Sequence, residues 1–322
     1  MGATDDTKND DQPGVRHEDE MSEAGRKLLA YHFARMLQEE PKVHTGGDPE
    51  AIHDMRVAIR RIRSMIRVFL PFYNASVIKP LNRHLREIAR ALGEVRDLDV
   101  FRLRLEDYIA TRPEAEQEGL QPVLSDWTAR EDAARAPLLR LLNSAEYRIF
   151  LSDFREFVQT PYLGAREDDD PSLMPNRVQD TAPRLIYDHY GAVRIYEMHL
   201  ERATLDELHM MRIETKRLRY TLEAFLESLG DEASEVLDAT KTLQDFLGNL
   251  QDERVAVSML SQYLEANFDE DSMITPGAQA VRNYITICYD RMQTLREQVP
   301  EAWQKFNAPE IRRALALSVA AL

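Results

Sequence analysis

The chain has 322 residues, a formal net charge of −15 and a single cysteine, Cys288. This length is sufficient for one large domain or two ordinary ones with a well-buried core. One cysteine cannot form an internal disulfide and has no neighbouring thiols for a zinc cluster, which fits a reducing compartment. The acidic balance argues against a general nucleic-acid binder, because such proteins usually carry a basic domain that neutralises phosphates.

Nothing in the sequence predicts export or membrane insertion. The first residues are acidic and polar, unlike a secretory signal or an Arg-rich transit peptide. No apolar run approaches the roughly 20 residues that span a bilayer. We therefore expect a cytoplasmic protein that does not associate with a membrane. Residues 1–20 also lack hydrophobic periodicity, so we expect them to form a disordered acidic tail that adds nothing to the core.

Helical spacing of apolar residues begins at Ser22 and continues through almost the whole chain. After a first helix that contains Leu28 and Phe33, the pattern predicts helices over residues 52–69, 81–92, 101–109, 117–142 and 147–158. Prolines are expected to interrupt these segments, namely Pro41, Pro49, Pro71 and Pro80. No sustained alternation of apolar and polar residues predicts a sheet.

The sequence pattern restarts after a segment rich in proline and acidic residues. His209 follows His53 by 156 positions, and Phe225 follows Phe69 by the same interval. Such a constant offset indicates a duplicated helical unit. The predicted organisation is a first helical half at 21–160, a linker at 161–183 and a second half at 184–322. We expect an all-α fold of two pseudo-symmetric antiparallel bundles, with about four helices in each.

A basic stripe occurs once in each half, although the protein as a whole is acidic. At 100° per residue, five side chains of the first copy fall within about 80° of one another on a helix: His53, Arg56, Arg60, Arg63 and Arg67. The second copy carries His209, Arg212, Lys216 and Arg219, but has Glu223 where the first has Arg67. The first stripe would extend about 21 Å, a length that suits an extended anion better than a single phosphate.

Other interpretations of these residues remain open. A basic helix face can simply be solvated, but its repetition at equivalent positions favours a bound anion. Each histidine lacks a second ligand at convincing spacing, so a role in contacting phosphate is favoured over metal binding, with a core or capping role as an alternative. Asp97 and Asp252 could orient basic side chains or form structural ion pairs, and Gly93 and Gly248 favour close helix packing or a bend.

The paired motif His-x-x-Arg-x-x-x-Arg/Lys-Arg-x-Arg, together with the later Leu-Gly-x-x-x-Asp elements, resembles the CHAD family, the conserved-histidine α-helical domain. The resemblance covers roughly residues 22–322. It implies two bundles whose basic helices face a central cavity, and it implies binding of inorganic polyphosphate. The residues carried over are His53, Arg56, Arg60, Arg61, Arg63, Arg67, Arg86, His209, Arg212, Lys216, Arg217, Arg219 and Lys241.

Four of these assignments rest on different grounds from the rest. Arg86 and Lys241 are equivalent under a shift of 155 and are expected to add charge from the next helix of each half. Arg61 and Arg217 fall about 100° or more from the centre of each stripe. Pairing with acidic neighbours is therefore an alternative role for these two arginines.

Two functions are compatible with this pattern. The first is a noncatalytic polyphosphate-binding protein without a cofactor, targeted to polyphosphate granules or bringing protein partners there. The alternative is an enzyme acting on polyphosphate or another phosphorylated anion, with a metal held by carboxylates. Because the sequence contains no phosphate-binding Gly-rich loop, no nucleophile elbow and no His-Glu-x-x-His zinc motif, we expect the noncatalytic function, with nucleic acid excluded as the main ligand.

Overall fold

The computed structural model describes residues 12–45, 50–166, 176–269 and 272–322. These residues form α-helices joined by short turns and 3-10 segments, and no β-strand is present among them. The helices of the first half are α1 (Met21–Thr45), α2 (Ala51–Phe69), α3 (Ala75–Ala110), α4 (Glu114–Leu142) and α5 (Ala145–Gln159). Those of the second half are α6 (Val178–Arg194), α7 (Leu205–Phe225), α8 (Ala233–Asn267), α9 (Pro276–Phe306) and α10 (Pro309–Ala320). The all-α prediction is confirmed.

The order of elements in the second half repeats that of the first. A 3-10 helix follows α2 at Leu70–Phe72, and another follows α7 at Leu226–Ser228. The helix that comes next, α3 in the first half and α8 in the second, is the longest of its half. Each described half has five α-helices rather than about four, since the short C-terminal pieces α5 and α10 are also helical.

The halves share their hydrophobic cores. The main core takes residues from both halves, and Phe69 of α2 meets Phe225 of α7 with ring centroids 5.7 Å apart. A second core forms where the distal parts of α3, α4, α8 and α9 pack together around Trp127 and Tyr284. Burial of such aromatic rings is among the larger stabilising contributions in a core. The Phe69–Phe225 contact fixes α2 directly against α7.

The structure corrects the prediction that the first 20 residues add nothing to the core. Val15 is only 3% exposed and belongs to the main core, and its backbone N–H donates to Glu227 Oε2 at 2.6 Å. A single apolar residue has no periodicity, so the helical pattern could not identify it. Residues 1–11 of the predicted tail lie outside the described residues.

Two of the prolines do not interrupt helices as predicted. Pro41 lies inside α1 and Pro80 lies inside α3. A proline removes one intrahelical hydrogen bond, and in both helices the buried apolar residues on either side of it keep one continuous helical face. Pro71 lies in the 3-10 helix after α2, and Pro49 is outside the described residues.

The predicted linker overlaps the start of α6. That helix begins at Val178 because its buried positions, Val178, Ala182 and Ile186, continue the helical spacing upstream of Pro183. The adjoining backbone is held by Asn176, whose carbonyl accepts a hydrogen bond from Met21 N at 2.7 Å. Residues 167–175 are outside the described part of the chain. In the described segments, no helix combines the length and the apolar character that crossing a bilayer would require.

Candidate anion-binding site

Both basic stripes are positioned by buried apolar residues on the same helix. On α2, Ile52, Met55, Ile59 and Ile62 are at most 6% exposed and pack into the main core. On α7, four residues are likewise buried in the main core: Leu208, Met211, Leu218 and Leu222. The basic residues lie beside these apolar faces and are partly buried, except for the exposed Arg67: His53, Arg56, Arg60, Arg63, Arg67, His209, Arg212, Lys216 and Arg219.

The start of α7 is fixed by a capping box. The Thr204 side chain accepts from Glu207 N at 3.2 Å, and the Glu207 carboxylate accepts from Thr204 N at 2.7 Å. This reciprocal pairing satisfies two of the free N–H groups at the first turn of a helix. It therefore sets the rotational position of His209 and of the basic residues that follow it on α7.

The two stripes converge at Lys216. The pKa of its ammonium is lowered to about 8, first by burial and then by the positive charges of Arg212, Arg60, Arg67 and Arg56. Three of these arginines belong to α2, whereas Lys216 and Arg212 belong to α7. Helices 156 positions apart in sequence thus bring their cations to one place. We call this group the cationic surface, defined by Arg56, Arg60, Arg67, Arg212 and Lys216.

A second concentration of charge extends the cationic surface toward α3. Burial, followed by the charges of Arg67 and Arg86, lowers the pKa of Arg63. Arg86 is exposed on α3 and so adds a cation from a third helix. Its counterpart Lys241 is exposed on α8, and its participation stays a prediction.

Several guanidinium groups in the stripes keep unused hydrogen-bond donors. The Nε atoms of Arg60, Arg63 and Arg212 are buried and have no hydrogen-bond partner among the described residues. A buried donor without a partner costs roughly 1–3 kcal/mol. Close like charges add repulsion. An anion with several oxygens would relieve the repulsion, because the terminal nitrogens of each guanidinium can donate to phosphate in pairs.

The Leu-Gly-x-x-x-Asp elements of α3 and α8 lie next to arginines of the cationic surface. Arg56 lies over Gly93, and its Nη2 donates to Asp97 Oδ1 at 3.2 Å. Arg212 lies over Gly248 in the same way. The aspartates therefore face arginines of the cationic surface, and the glycines leave space for the guanidinium groups on the neighbouring helix.

The aspartate of the second element differs from that of the first in its surroundings. Burial raises the pKa of Asp252, whereas the positive charges of Arg212 and Arg104 act to lower it. Arg104 also donates to the Asp252 backbone carbonyl at 3.3 Å. Asp252 is thus near two arginines, one from each half of the chain.

His209 has a polar neighbour on α8. His209 Nδ1 lies 3.0 Å from Gln251 Oε1. Gln251 was not identified from the sequence, although its position three residues after Gly248 on α8 places it on the same side of that helix. Under the shift of 155, the counterpart of Gln251 is Arg96, which is paired with Asp99 at 2.5 Å. No group of three His, Cys, Asp or Glu residues in the described segments is arranged to hold a metal ion.

The arginines beside the stripes are paired with carboxylates. Arg217 Nη1 lies 2.5 Å from Glu214 Oε1, and Arg61 Nη2 lies 3.9 Å from Glu223 Oε1. Glu223 also accepts from Arg219 Nε at 3.0 Å. Both arginines thus have an acidic neighbour, as the alternative role requires, and their part in anion binding stays a prediction. Arg219, a member of the second stripe, contacts the same Glu223 carboxylate as Arg61.

The family is established by a match along most of the chain. A family model of the CHAD domain matches residues 27–261. The chain belongs to the CHAD family. This CHAD protein is also similar to two uncharacterised proteins from two strains of Mycobacterium tuberculosis, each 26% identical over 263 residues. The match covers 80% of this chain and 48% of each relative, so the chain spans about half the length of the curated relatives it matches.

Two solved structures share the CHAD architecture. The CHAD domain from the plant Ricinus communis is 20% identical, with a TM-score of 0.63 over 97% of this chain and 96% of that domain. PptA from Streptomyces chartreusis is 15% identical, with a TM-score of 0.64 over 89% of this chain and 100% of that structure. At these identities, the likeness shows the fold alone.

Proposed function

We propose that this CHAD protein binds inorganic polyphosphate, without catalysis, through the cationic surface. The observation that carries the proposal is the packing of α2 against α7 through Phe69 and Phe225, which brings Arg56, Arg60 and Arg67 close enough to lower the pKa of Lys216. Like charges so close together in a protein of net charge −15 require compensation. A polyanion supplies that compensation, and the surrounding acidic surface repels nonspecific polyanions while the basic site attracts its ligand.

An extended phosphate polymer fits better than a single phosphate. The charge is spread along α2 and extends through Arg63 to Arg86 on α3, so that several successive anionic groups are needed to neutralise it. Inorganic polyphosphate carries one charge per unit and can contact successive guanidinium groups. CHAD membership supports this ligand, because the family is associated with polyphosphate in general.

A nucleic acid is a poorer fit to the same helices. Binding of single-stranded nucleic acid relies on exposed aromatic rings on which bases stack. The aromatic residues of α2 and α7 are Phe69, Tyr220 and Phe225, and all three are at most 2% exposed. The basic face therefore offers charge without stacking, which suits a polymer that has no bases.

The first experiment separates binding from catalysis. Purified protein is incubated with polyphosphate of defined chain length, with and without magnesium, and the affinity and the chain-length distribution are both measured. We expect tight binding and an unchanged distribution. Progressive shortening of the polymer would instead establish the alternative function, an enzyme acting on polyphosphate.

A charge-reversal variant tests the assigned surface. Arg56, Arg60, Arg212 and Lys216 are changed together to Glu, and retention on immobilised polyphosphate should be lost while helicity by circular dichroism is kept. The matched control reverses four exposed cations elsewhere, Arg148, Arg155, Arg184 and Lys305, which changes the net charge equally. Equal retention of the two variants would reject the cationic surface as the binding site.

Cellular location follows from the same interaction. We propose that the protein resides in the cytoplasm and concentrates at polyphosphate granules, where it brings protein partners. A fluorescent fusion should form foci that overlap polyphosphate stain, and the charge-reversal variant should remain diffuse. Foci that persist in cells depleted of polyphosphate would contradict this location.

A further inference from the structure

The two basic stripes differ most at the position shared by Arg67 and Glu223. Glu223 Oε1 accepts a hydrogen bond from Arg219 Nε at 3.0 Å and lies 3.9 Å from Arg61 Nη2. Its side chain is 22% exposed and that of Arg219 is 12% exposed. Glu223 thus places a partly buried carboxylate between one arginine of each stripe helix.

The counterpart position in the first half carries no such compensation. Arg63 is the counterpart of Arg219, and there the residue one turn later is Arg67, whose charge lowers the pKa of Arg63. The counterpart of the Arg61–Glu223 pair is Arg217 with Arg67, two like charges that both lie near His189. Burial lowers the pKa of this histidine, Glu214 and Asp188 act to raise it, and the two arginines act to lower it. Arg63 and Arg67 therefore form no ion pair among the described residues, whereas Arg219 is paired with Glu223 and Arg217 with Glu214.

We propose that Glu223 is a specificity-determining residue that acts as an internal anion: it occupies Arg61 and Arg219 and so ends the polyphosphate-binding surface on the α7 side. This inference rests on the proposed function. A phosphate unit reaching Arg219 must displace a carboxylate that already accepts its Nε–H, and it must do so against the negative charge of that carboxylate.

The consequence is an asymmetric site with a limited length. Polyphosphate occupies the centre at Arg60 and Lys216 and continues toward Arg63, Arg67 and Arg86. Lengthening the polymer in the direction of Arg219 adds no contacts while Glu223 is paired with Arg219. The affinity of the natural protein should therefore stop rising at a shorter chain length than it would without this carboxylate.

The Glu223→Gln substitution tests this inference, because it keeps the size of the side chain and removes its charge. The affinity is measured by titration with polyphosphates of increasing defined length, at several salt concentrations. For long chains we expect binding about three- to tenfold tighter than in the natural protein. The dependence of affinity on salt should steepen by about one unit or more, since additional cations become available. Short chains that contact only the centre should change little.

The matched control is Glu301→Gln. Glu301 also pairs with a cation four residues away, Lys305, at 2.8 Å, and the substitution changes the net charge by the same amount on α9. The double variant Arg219→Gln/Glu223→Gln should lose most of the gain, since Arg219 makes the closer contact with Glu223, 3.0 Å against 3.9 Å for Arg61. If Glu223→Gln lowers the stability too far for titration, Glu223→Arg, which copies Arg67, should give the same or a larger gain.

The outcomes separate the two proposals. If the natural protein binds polyphosphate and neither Glu223 variant differs from Glu301→Gln at any chain length, Glu223 forms a structural ion pair only and the inference is wrong. If the natural protein does not bind polyphosphate at all, the proposed function fails and the inference fails with it.

Discussion

The Arg212 guanidinium rests on Gly248 of the neighbouring helix. A β-carbon built on Gly248 would lie 3.6 Å from Arg212 Nε and 3.8 Å from Nη2. In the first half, a β-carbon on Gly93 would lie 3.8 Å from Arg56 Nε. These are ordinary contact distances, so each position has room for a methyl group and for little more. The glycine of each Leu-Gly element therefore allows an arginine of the cationic surface to pack directly against the neighbouring helix.

Two substitutions of Gly248 should have opposite effects. Gly248→Ala should keep Arg212 in place and raise the free energy of unfolding by about 1 kcal/mol, because alanine favours a helix interior over glycine. Gly248→Leu should push Arg212 away and weaken polyphosphate binding several-fold. Affinity and thermal unfolding, measured on both variants, check this. Equal affinities for the two variants would mean that binding does not depend on the packing of Arg212 against Gly248.

Binding should weaken as the pH rises above 8, because Lys216 then loses its charge in the free protein. Its pKa is lowered to about 8, whereas a bound polyanion favours the ammonium and restores a higher value. The affinity should fall by about tenfold between pH 7 and pH 9. It changes little below the pKa of about 8 and falls by one factor of ten for each pH unit above it. Titration at a series of pH values provides the measurement.

Lys216→Arg is the control for this pH dependence. An arginine stays charged throughout the range, so the variant should retain its affinity from pH 7 to pH 9. A parallel decrease in the variant and the natural protein would show that another group, on the protein or on the polymer, causes the change.

The sequence was sufficient for the fold class, because helical spacing is a local property. The helical period of α2 and α7 predicts which face is buried, and the interval from His53 to His209 shows the duplication. Pairing across the two halves depends on tertiary contacts. The contact between Arg61 and Glu223, 162 positions apart, has no signal in local spacing, and neither does the burial of Val15.

Removing the charge of Lys216 should stabilise the fold while weakening function. A lysine whose pKa is lowered in the folded state destabilises that state below the folded pKa, and the penalty disappears as the pH rises from about 8 toward 10.5. At pH 7, Lys216→Met should therefore raise the melting temperature by about 1–2 °C, for a gain on the order of 1 kcal/mol.

The same variant should bind polyphosphate less tightly, and its stability advantage should shrink between pH 8 and pH 10. Thermal unfolding of the two proteins at pH 7 and pH 10 gives the comparison. A lower melting temperature for Lys216→Met at pH 7 would mean that packing of the lysine stem, rather than its charge, dominates at this position.

The salt dependence of binding should give the number of cations that contact the polymer. Each cation that neutralises a phosphate releases a counterion, so the slope of log affinity against log salt grows with the number of contacts. Arg60→Gln should reduce the magnitude of that slope by about one unit and weaken binding at low salt. Arg184→Gln, at an exposed site on α6 outside the cationic surface, should leave the slope unchanged although the net charge changes equally. If both variants shift the slope alike, the polymer responds to the overall charge of the protein, and the convergence of α2 and α7 on Lys216 does not direct its binding.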